Sequence, residues 1–314
     1  MSESAPYAAL SPDVVLAAVD ATDTWSDGRL LTLNSYENRV FQVGLEDGGF
    51  VVAKFYRPGR WTDAAIEEEH AFALELAAAE LPMVAPLAFD GRTMLRHEGY
   101  RYAVYPRRGG RAPSLESADQ LEWLGRLLGR MHAIGARQPF RARTTLDRAT
   151  MIDMPTRAAL GSDLLPAHLF DAYRNAASRV DDAVANRIEA VGPVHRIRLH
   201  GDCHPGNVLW TDAGPHFVDL DDARMGPAVQ DLWMLAGDDA MMDALLEGYG
   251  QFRDFDPTEL ALVPALRAMR QVHYAGWIAE RWHDPAFPAA FPFAAEPRWW
   301  EQHIADLHDI ADDL

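Results

Sequence analysis

What the chain lacks excludes several classes of protein. It has one cysteine, Cys203, so no disulfide can form within it, and such sparse cysteine suits a reducing compartment. No apolar run approaches the roughly 18 residues of a membrane span, so no membrane partner is expected. The first residues lack a basic stretch followed by an apolar one, as a secretory signal would require. We therefore expect a cytoplasmic protein.

Positive charge is also scarce. The 29 Lys and Arg residues are outnumbered by 47 Asp and Glu residues, which gives a formal net charge of -18. A polyanionic surface repels nucleic acid at long range, so nucleic acid is not an expected partner. Lys54 is the only lysine. Chance is the plain explanation, but an ammonium also fits where a planar guanidinium does not, which predicts a narrow cationic site at Lys54.

The first hundred residues favour a sheet with one inserted helix. A short helix is predicted from Pro12, capped by Ser11, to Asp20. Alternating apolar residues and turn signals predict strands at 29–33, 40–45, 50–56, 87–89, 93–97 and 100–105. Between the third and fourth lies a helical pattern that starts after Thr62 and ends near Glu80. The expected structure is an antiparallel sheet of five or six strands.

The rest of the chain is mainly helical in pattern. Residues 117–120 have the form of a capping box, and further helices are predicted near 166–190, 227–250 and 257–282. Strand patterns return only around 194–220. Residues 105–110, rich in proline and glycine, suit a connector. We therefore predict an α+β fold with an N-terminal lobe at 1–106 and a helical C-terminal lobe at 107–314.

The segment 200–210 (HGDCHPGNVLW) carries the most informative pattern. Asp202 and Asn207 lie five positions apart in a loop that contains glycine and proline. This is the Asp-to-Asn spacing of the catalytic loop in protein kinases. A carboxylate can orient a hydroxyl and accept its proton, and an amide oxygen can ligate Mg²⁺ without adding charge beside that base. The loop is therefore a candidate phosphoryl-transfer site.

A second acid is predicted to lie near this loop. Residues 212–214 form a hairpin signal, and a hairpin would return Asp219 to the neighbourhood of Asn207 as a second oxygen ligand for Mg²⁺. Asp221 and Asp222 are weaker candidates, because the strand ends there. A lone loop acid is more often a turn residue, but the combined spacing is much harder to obtain by accident.

The other polar residues of the loop are expected to be structural. His200 and His204 are predicted to be hydrogen-bonding residues rather than catalysts, and no third soft ligand suggests that they bind a metal. Cys203 is predicted to be a small loop residue rather than a redox switch.

These motifs resemble the aminoglycoside phosphotransferase and choline kinase branch of the protein-kinase-like superfamily. The resemblance is closer still to the bacterial stress response kinase A family. It is carried by residues 199–204 with Asn207, and by segments 217–224, 226–235, 54–60, 266–270 and 284–288. It implies a cytoplasmic, two-lobed serine/threonine protein kinase that takes phosphate from ATP and acts in stress response. We expect a monomer.

The resemblance also implies roles for single residues. Asp202 becomes the catalytic base, and Asn207 and Asp219 become the magnesium ligands, with Asp219 counted as catalytic too. Lys54, on the third strand, would hold the α- and β-phosphates of ATP. Its ion-pair partner would be Glu69 on the following helix.

Other assignments are less direct. Glu68 lies close enough to compete with Glu69, and both could belong to a solvated acidic face. Tyr105 lies in the connector, where the resemblance places the adenine. Asp231 resembles the buried acid that accepts N–H groups of the catalytic loop.

The turn over the phosphates departs from the usual kinase pattern. Residues 34–38 (NSYEN) contain no glycine, so the backbone approaches a phosphate less freely than a glycine-rich loop does. The resemblance places an ATP contact at Ser35, and a plain turn is the alternative.

Two other functions stay open. A small-molecule kinase acting on an aminoglycoside, choline, homoserine or a sugar would share this catalytic loop. A nucleotide-binding pseudokinase is disfavoured, because Lys54, Asp202, Asn207 and Asp219 are all present. No long activation segment follows Asp219, so control by phosphorylation there is not expected.

Overall fold

The computed structural model describes residues 5–314, so the first four residues of the predicted N-terminal lobe lie outside it. Its N-terminal part is a five-stranded antiparallel sheet, in the order β1-β2-β3-β5-β4, with helices before and within it. The elements are α1 (Pro12–Asp20), β1 (Ser26–Leu33), β2 (Arg39–Leu45), β3 (Phe50–Phe55), α2 (Asp63–Ala78), β4 (Leu95–His97) and β5 (Tyr100–Pro106).

The C-terminal part is mainly helical, as expected, and the α+β fold class is confirmed. Its helices are α3 (Ala118–Gly135), α4 (Met154–Leu160, after a π-helical turn at Ala149–Asp153), α5 (Phe170–Val191), α6 (Val229–Trp233), α7 (Asp239–Tyr249), α8 (Val263–Glu280), α9 (Ala286–Ala290) and α10 (Pro297–Asp313). Two small strand pairs join β6 (Ile197–Leu199) with β9 (Arg224–Gly226), and β7 (Val208–Thr211) with β8 (Gly214–Phe217). No helix within residues 5–314 is long and apolar enough to cross a bilayer.

Helix α2 joins the two parts of the molecule. Phe72 and Leu76 are fully buried in a core that includes Leu128 of α3 and Phe217 of β8. The sheet has a separate core against α1. Because α2 packs on the helical lobe, it can hold side chains in the cleft between that lobe and the sheet.

Three sequence predictions about elements were wrong. Residues 87–89 form no strand, since the Leu87 N–H makes a single bond to Val104 O and Phe89 pairs only with Arg92. The capping box at 117–120 does not form, because the Ser117 side chain makes no cap hydrogen bond. The helix predicted over 227–250 is divided, because Asp238 caps a new helix by accepting from Met241 N at 2.8 Å.

Candidate active site

Gly201 allows the loop at 200–207 to pass close to a neighbouring segment. Its φ is +85°, and a Cβ there would lie 2.1 Å from Asp222 O. Only glycine, which has no Cβ, tolerates that backbone conformation together with so close an approach. The glycine between His200 and Asp202 is therefore required by the local packing.

Asp231 holds the start of this loop. Its two carboxylate oxygens accept hydrogen bonds from the backbone N–H groups of His200 and Gly201, each at 2.8 Å. The carboxylate is fully buried and lies 3.1 Å from Nε2 of His132. The structure thus confirms the structural role that the resemblance implied for Asp231.

The hairpin β7–β8 returns the chain to the loop. Val218 N donates to Asn207 O at 3.1 Å, and Nε2 of His200 lies 2.9 Å from Val218 O. Asn207 Nδ2 donates to Asp202 O at 2.9 Å, which leaves the amide oxygen of Asn207 for another partner. The hairpin therefore places Asp219, the next residue, beside the loop at 200–207.

Asp219 has an unusual backbone conformation. Its φ of 62° and ψ of 72° fall in the left-handed region, which is uncommon for a residue with a side chain and is concentrated at functional sites. Its carboxylate is half exposed.

Lys54 connects the sheet to Asp219. Its Nζ lies 2.9 Å from Asp219 Oδ1, 3.3 Å from Asp221 Oδ1 and 3.4 Å from Glu69 Oε1. Burial alone would lower the pKa of Lys54, but the three carboxylates outweigh it and raise that pKa well above its ordinary value. The only lysine is therefore a buried, permanent cation at the head of the cleft.

The structure distinguishes the two candidate glutamates. Glu69 lies beside Lys54 and also 3.3 Å from Arg143 Nη1. Burial raises the pKa of Glu69 and outweighs the attraction to Lys54 and Arg143. Glu68 points elsewhere, because its carboxylate accepts backbone N–H groups from residues 141–143.

The sequence did not predict the ion pairs of Asp221, which was considered only as a weaker candidate for a magnesium ligand. This carboxylate is buried, contacts Lys54, and forms an ion pair with Arg60, which also lies 3.0 Å from Asp222. Asp222 receives a second arginine, Arg224, at 2.6 Å. The burial of Asp221 depends on Arg60, 161 positions away in the sequence, and no local pattern signals that pairing.

Asp202 lies between two basic side chains. Arg270 Nη1 lies 2.8 Å from Asp202 Oδ1, and His204 Nε2 lies 3.5 Å from Oδ2. Burial alone would raise the pKa of Asp202, but His204 and Arg270 more than compensate and hold it below the ordinary value. The carboxylate is thus kept ionised while a quarter of it stays exposed.

A cavity of about 310 Å³ lies between the sheet and the helical lobe. Ser35, Lys54 and Tyr105 line it on the side of the sheet. The other residues that line it include Leu33, Val40, Val52, Glu69, Ala73, Val84, Pro106, Asn207, Leu209, Asp219 and Leu220. Of the predicted site residues, only Asp202 does not line this cavity. The cavity therefore has apolar walls and a charged end, as many ligand sites do.

The turn at 34–38 is held from a distance. Glu37 Oε2 accepts hydrogen bonds from Trp277 Nε1 at 2.7 Å and Arg281 Nε at 2.6 Å. Its Oε1 lies 2.9 Å from Nε of Arg57. Helix α8 thus anchors the turn that contains Ser35.

Asp284 adds a second anchor. This buried carboxylate accepts from Arg39 Nη2 and Arg57 Nη2, each at 2.6 Å. The two arginines flank the turn in space, on β2 and just after β3. Residues 277–284 of the helical lobe therefore fix a glycine-free turn of the sheet lobe through ion pairs.

Comparison with known proteins identifies the family. Residues 30–263 match the model of the phosphotransferase enzyme family. Stress response kinase A from Escherichia coli K12 is 45% identical over 310 residues, covering 97% of this chain and 94% of that protein. The chain belongs to the stress response kinase A family. Another relative, named serine/threonine protein kinase RdoA, from Salmonella typhimurium LT2, is 44% identical over 301 residues, covering 94% and 91% of the two chains.

Solved structures with the same fold include small-molecule kinases. Amicoumacin kinase, in complex with AMP-PNP, Ca²⁺ and its antibiotic, superposes with a TM-score of 0.73 at 18% identity, over 94% of this chain and 92% of that one. A microcompartment-associated aminopropanol kinase gives a TM-score of 0.67 at 19% identity, over 94% and 99%. Like them, this member of the stress response kinase A family has the two-lobed kinase-like fold and is a phosphotransferase.

Proposed function

We propose that this phosphotransferase moves the γ-phosphate of Mg-ATP to a serine or threonine hydroxyl of a protein, in bacterial stress response. The observation that carries the proposal is the 2.9 Å contact between Lys54 Nζ and Asp219 Oδ1. It joins two motifs 165 positions apart at the charged end of one cavity. The proposed boundary between the lobes lies between residues 106 and 107, so Lys54 belongs to the N-terminal lobe and Asp219 to the C-terminal lobe.

The apolar cavity walls suit the adenine. Val40, Val52 and Leu209 can contact its faces, and the backbone near Tyr105 and Pro106 can hydrogen-bond its edge. Ser35 lines the same cavity as Asn207 and Asp219, and its hydroxyl can donate to a phosphate. Lys54, kept charged by its carboxylates and held by Glu69, can pair with the phosphates.

Asn207 and Asp219 fit a magnesium ion. The Asn207 amide is oriented by its bond to Asp202 O, so its oxygen can face the cavity, and Asp219 adds a carboxylate. Within residues 5–314 no group of three His, Cys, Asp or Glu side chains could hold a metal alone, and Mg²⁺ with few protein ligands and added phosphate oxygens is usual. When bound, the ion neutralises charge on the β- and γ-phosphates.

Asp202 is proposed as the base. Its carboxylate accepts the proton of the acceptor hydroxyl while the hydroxyl oxygen forms a bond to the γ-phosphorus. The bond from that phosphorus to the bridging oxygen of ATP breaks, and ADP leaves with the electron pair. Positioning and charge neutralisation supply most of the rate enhancement in such transfers.

A small-molecule kinase is the second candidate, and it is favoured by the amicoumacin and aminopropanol kinases among the structural neighbours. Purified protein would be incubated with γ-labelled ATP, a casein-like protein, cell extract and a metabolite panel, followed by phosphosite mapping. Label on serine or threonine supports the proposal. Label in metabolites alone would refute it, and ATP binding without transfer would support a pseudokinase.

A further inference from the structure

Helix α8 has an exposed face beside Asp202. Arg267, Arg270 and Tyr274 are exposed, whereas Leu266, Met269 and other residues of the opposite face are buried. Spacings of three and four residues place the exposed three in one row along a helix. We name Arg267, Arg270 and Tyr274 the α8 ridge.

The α8 ridge reaches Asp202 through Arg270, outside the cavity between the sheet and the helical lobe. Arg270 bonds directly to Asp202, yet neither residue lines that cavity. An acceptor hydroxyl must lie within about 3 Å of the Asp202 carboxylate for proton transfer. An acceptor hydroxyl at Asp202 would therefore lie close to Arg270 as well.

Positive charge on the α8 ridge is incompletely neutralised. Only Nη1 of Arg270 contacts Asp202, and a guanidinium has five N–H donors. The guanidinium carbon of Arg267 lies over the ring of Trp233, 5.5 Å from the ring centroid, rather than beside a carboxylate. In contrast, nearby Asp222 is already bonded by Arg60 and Arg224.

We infer that the acceptor carries a carboxylate close to the hydroxyl that is phosphorylated. This inference rests on the proposed function and narrows its substrate class to serine or threonine in an acidic segment. A carboxylate would pair with the free edge of Arg270, whereas a cationic acceptor would be repelled there. The chain as a whole has a net charge of -18 and repels an acidic peptide at long range. The attraction to Arg270 therefore acts only when the peptide is in direct contact.

The spacing of the ridge sets the positions of the acidic residues. An extended peptide advances about 3.3 Å per residue, so a side chain one or two residues from the hydroxyl reaches Arg270. Arg267 lies one helical turn further, roughly 5–6 Å, and matches an acid about two residues beyond the first. Exposed Tyr274 can pack on the peptide backbone.

The test compares serine peptides that differ only at flanking positions, which carry Asp, Asn or Arg. Wild-type protein with Mg-ATP should show kcat/KM about 10-fold higher for the Asp peptide than for the Asn peptide, the effect of one charged hydrogen bond. Arg270→Glu should reverse the ratio of Asp to Arg peptides. That ratio cancels any shared loss of turnover caused by the change beside Asp202.

Two further variants sharpen the test. Arg267→Glu should lower preference only for the more distant acid, and Arg174→Glu, at an exposed site on α5, should leave every ratio unchanged. Equal rates for the three peptides would overturn the inference and leave the protein-kinase function intact. Labelling of metabolites but of no peptide or protein would overturn the proposed function itself.

Discussion

The two edges of the cleft are built in different ways. The lower edge, residues 200–219, is held by contacts within one motif region, such as Asn207 to Asp202 and His200 to Val218, together with Asp231 shortly after it. The upper edge, the turn at 34–38, is held by Trp277 and Arg281 directly and by Asp284 through Arg39, with partners 240 to 245 positions apart. The contacts of the lower edge join residues that are close in the sequence. The contacts of the upper edge form only when the two lobes pack together.

The largest effect is expected from a change at the lower edge, where Asp219 contacts Lys54. Asp219→Asn should lower kcat/KM by about 10³-fold, because a charge that acts at the phosphates is lost, and should raise the Mg²⁺ concentration needed for activity. Steady-state assays over a magnesium titration measure both effects. Asp212→Asn, exposed in the hairpin turn, is the control, and equal losses in the two variants would contradict the role of Asp219.

Lys54→Arg tests the contact between the sheet and the lower edge. Charge is conserved, but the larger planar group must fit among Glu69, Asp219 and Asp221 in a buried site. We expect kcat/KM to fall about 10²-fold and the melting temperature to drop through overpacking. An enzyme with normal activity and stability would show that the single lysine is a matter of chance.

Asp284→Asn tests the upper edge alone. The change leaves Arg39 and Arg57 without their shared carboxylate, and breaking such a buried pair costs about 3 kcal/mol in the free energy of unfolding. We expect KM for ATP to rise about 10-fold, or roughly 1.4 kcal/mol, with a smaller change in kcat. Urea unfolding and kinetics measure these quantities.

Asp171→Asn, at an exposed ion pair, is the matched control for that experiment. If Asp284→Asn lowered stability but left KM for ATP unchanged, the ion pairs would support the fold without positioning the turn.

The smallest expected effect is on pH dependence. Although burial opposes it, the hydrogen bond from His204 and the charge of Arg270 hold the pKa of Asp202 below its ordinary value. A base works only when deprotonated, so protonation of Asp202 should reduce kcat/KM only in more acid solution than an ordinary carboxyl group would. Arg270→Gln removes one group that lowers this pKa, so the acid limb should move upward. The ratio of variant to wild-type rates cancels the protonation of ATP itself, and an unmoved limb would contradict the coupling of Arg270 to Asp202.

Features that depend on short-range contacts could be predicted from the sequence, whereas those that depend on long-range contacts could not. The Asp202-to-Asn207 spacing and the hairpin before Asp219 are short-range patterns, and the structure brings those residues together as the sequence suggested. Their catalytic roles stay predictions. Local periodicity and turn signals also predicted the positions of β1, β2, β3 and β5, but not their order in the sheet.

Long-range partners could not be predicted. Arg60 and Arg143 occur in segments with no pattern that connects them to Asp221 or Glu69, and their importance arises from burial of several charges together. Asp284 lies in one of the segments that carry the family resemblance, but the sequence alone predicts no role for it. Local rules also failed where packing or a competing cap decided the outcome, as at Ser117 and at Asp238.

The central claim is most directly tested by Asp202→Asn. ATP binding, measured by calorimetry, should stay close to wild type, because Asp202 does not line the nucleotide cavity. Single-turnover transfer of γ-labelled phosphate to a protein hydroxyl should fall by about 10³-fold, the contribution of a general base. Transfer at a near wild-type rate, with ATP bound normally, would contradict the proposed site.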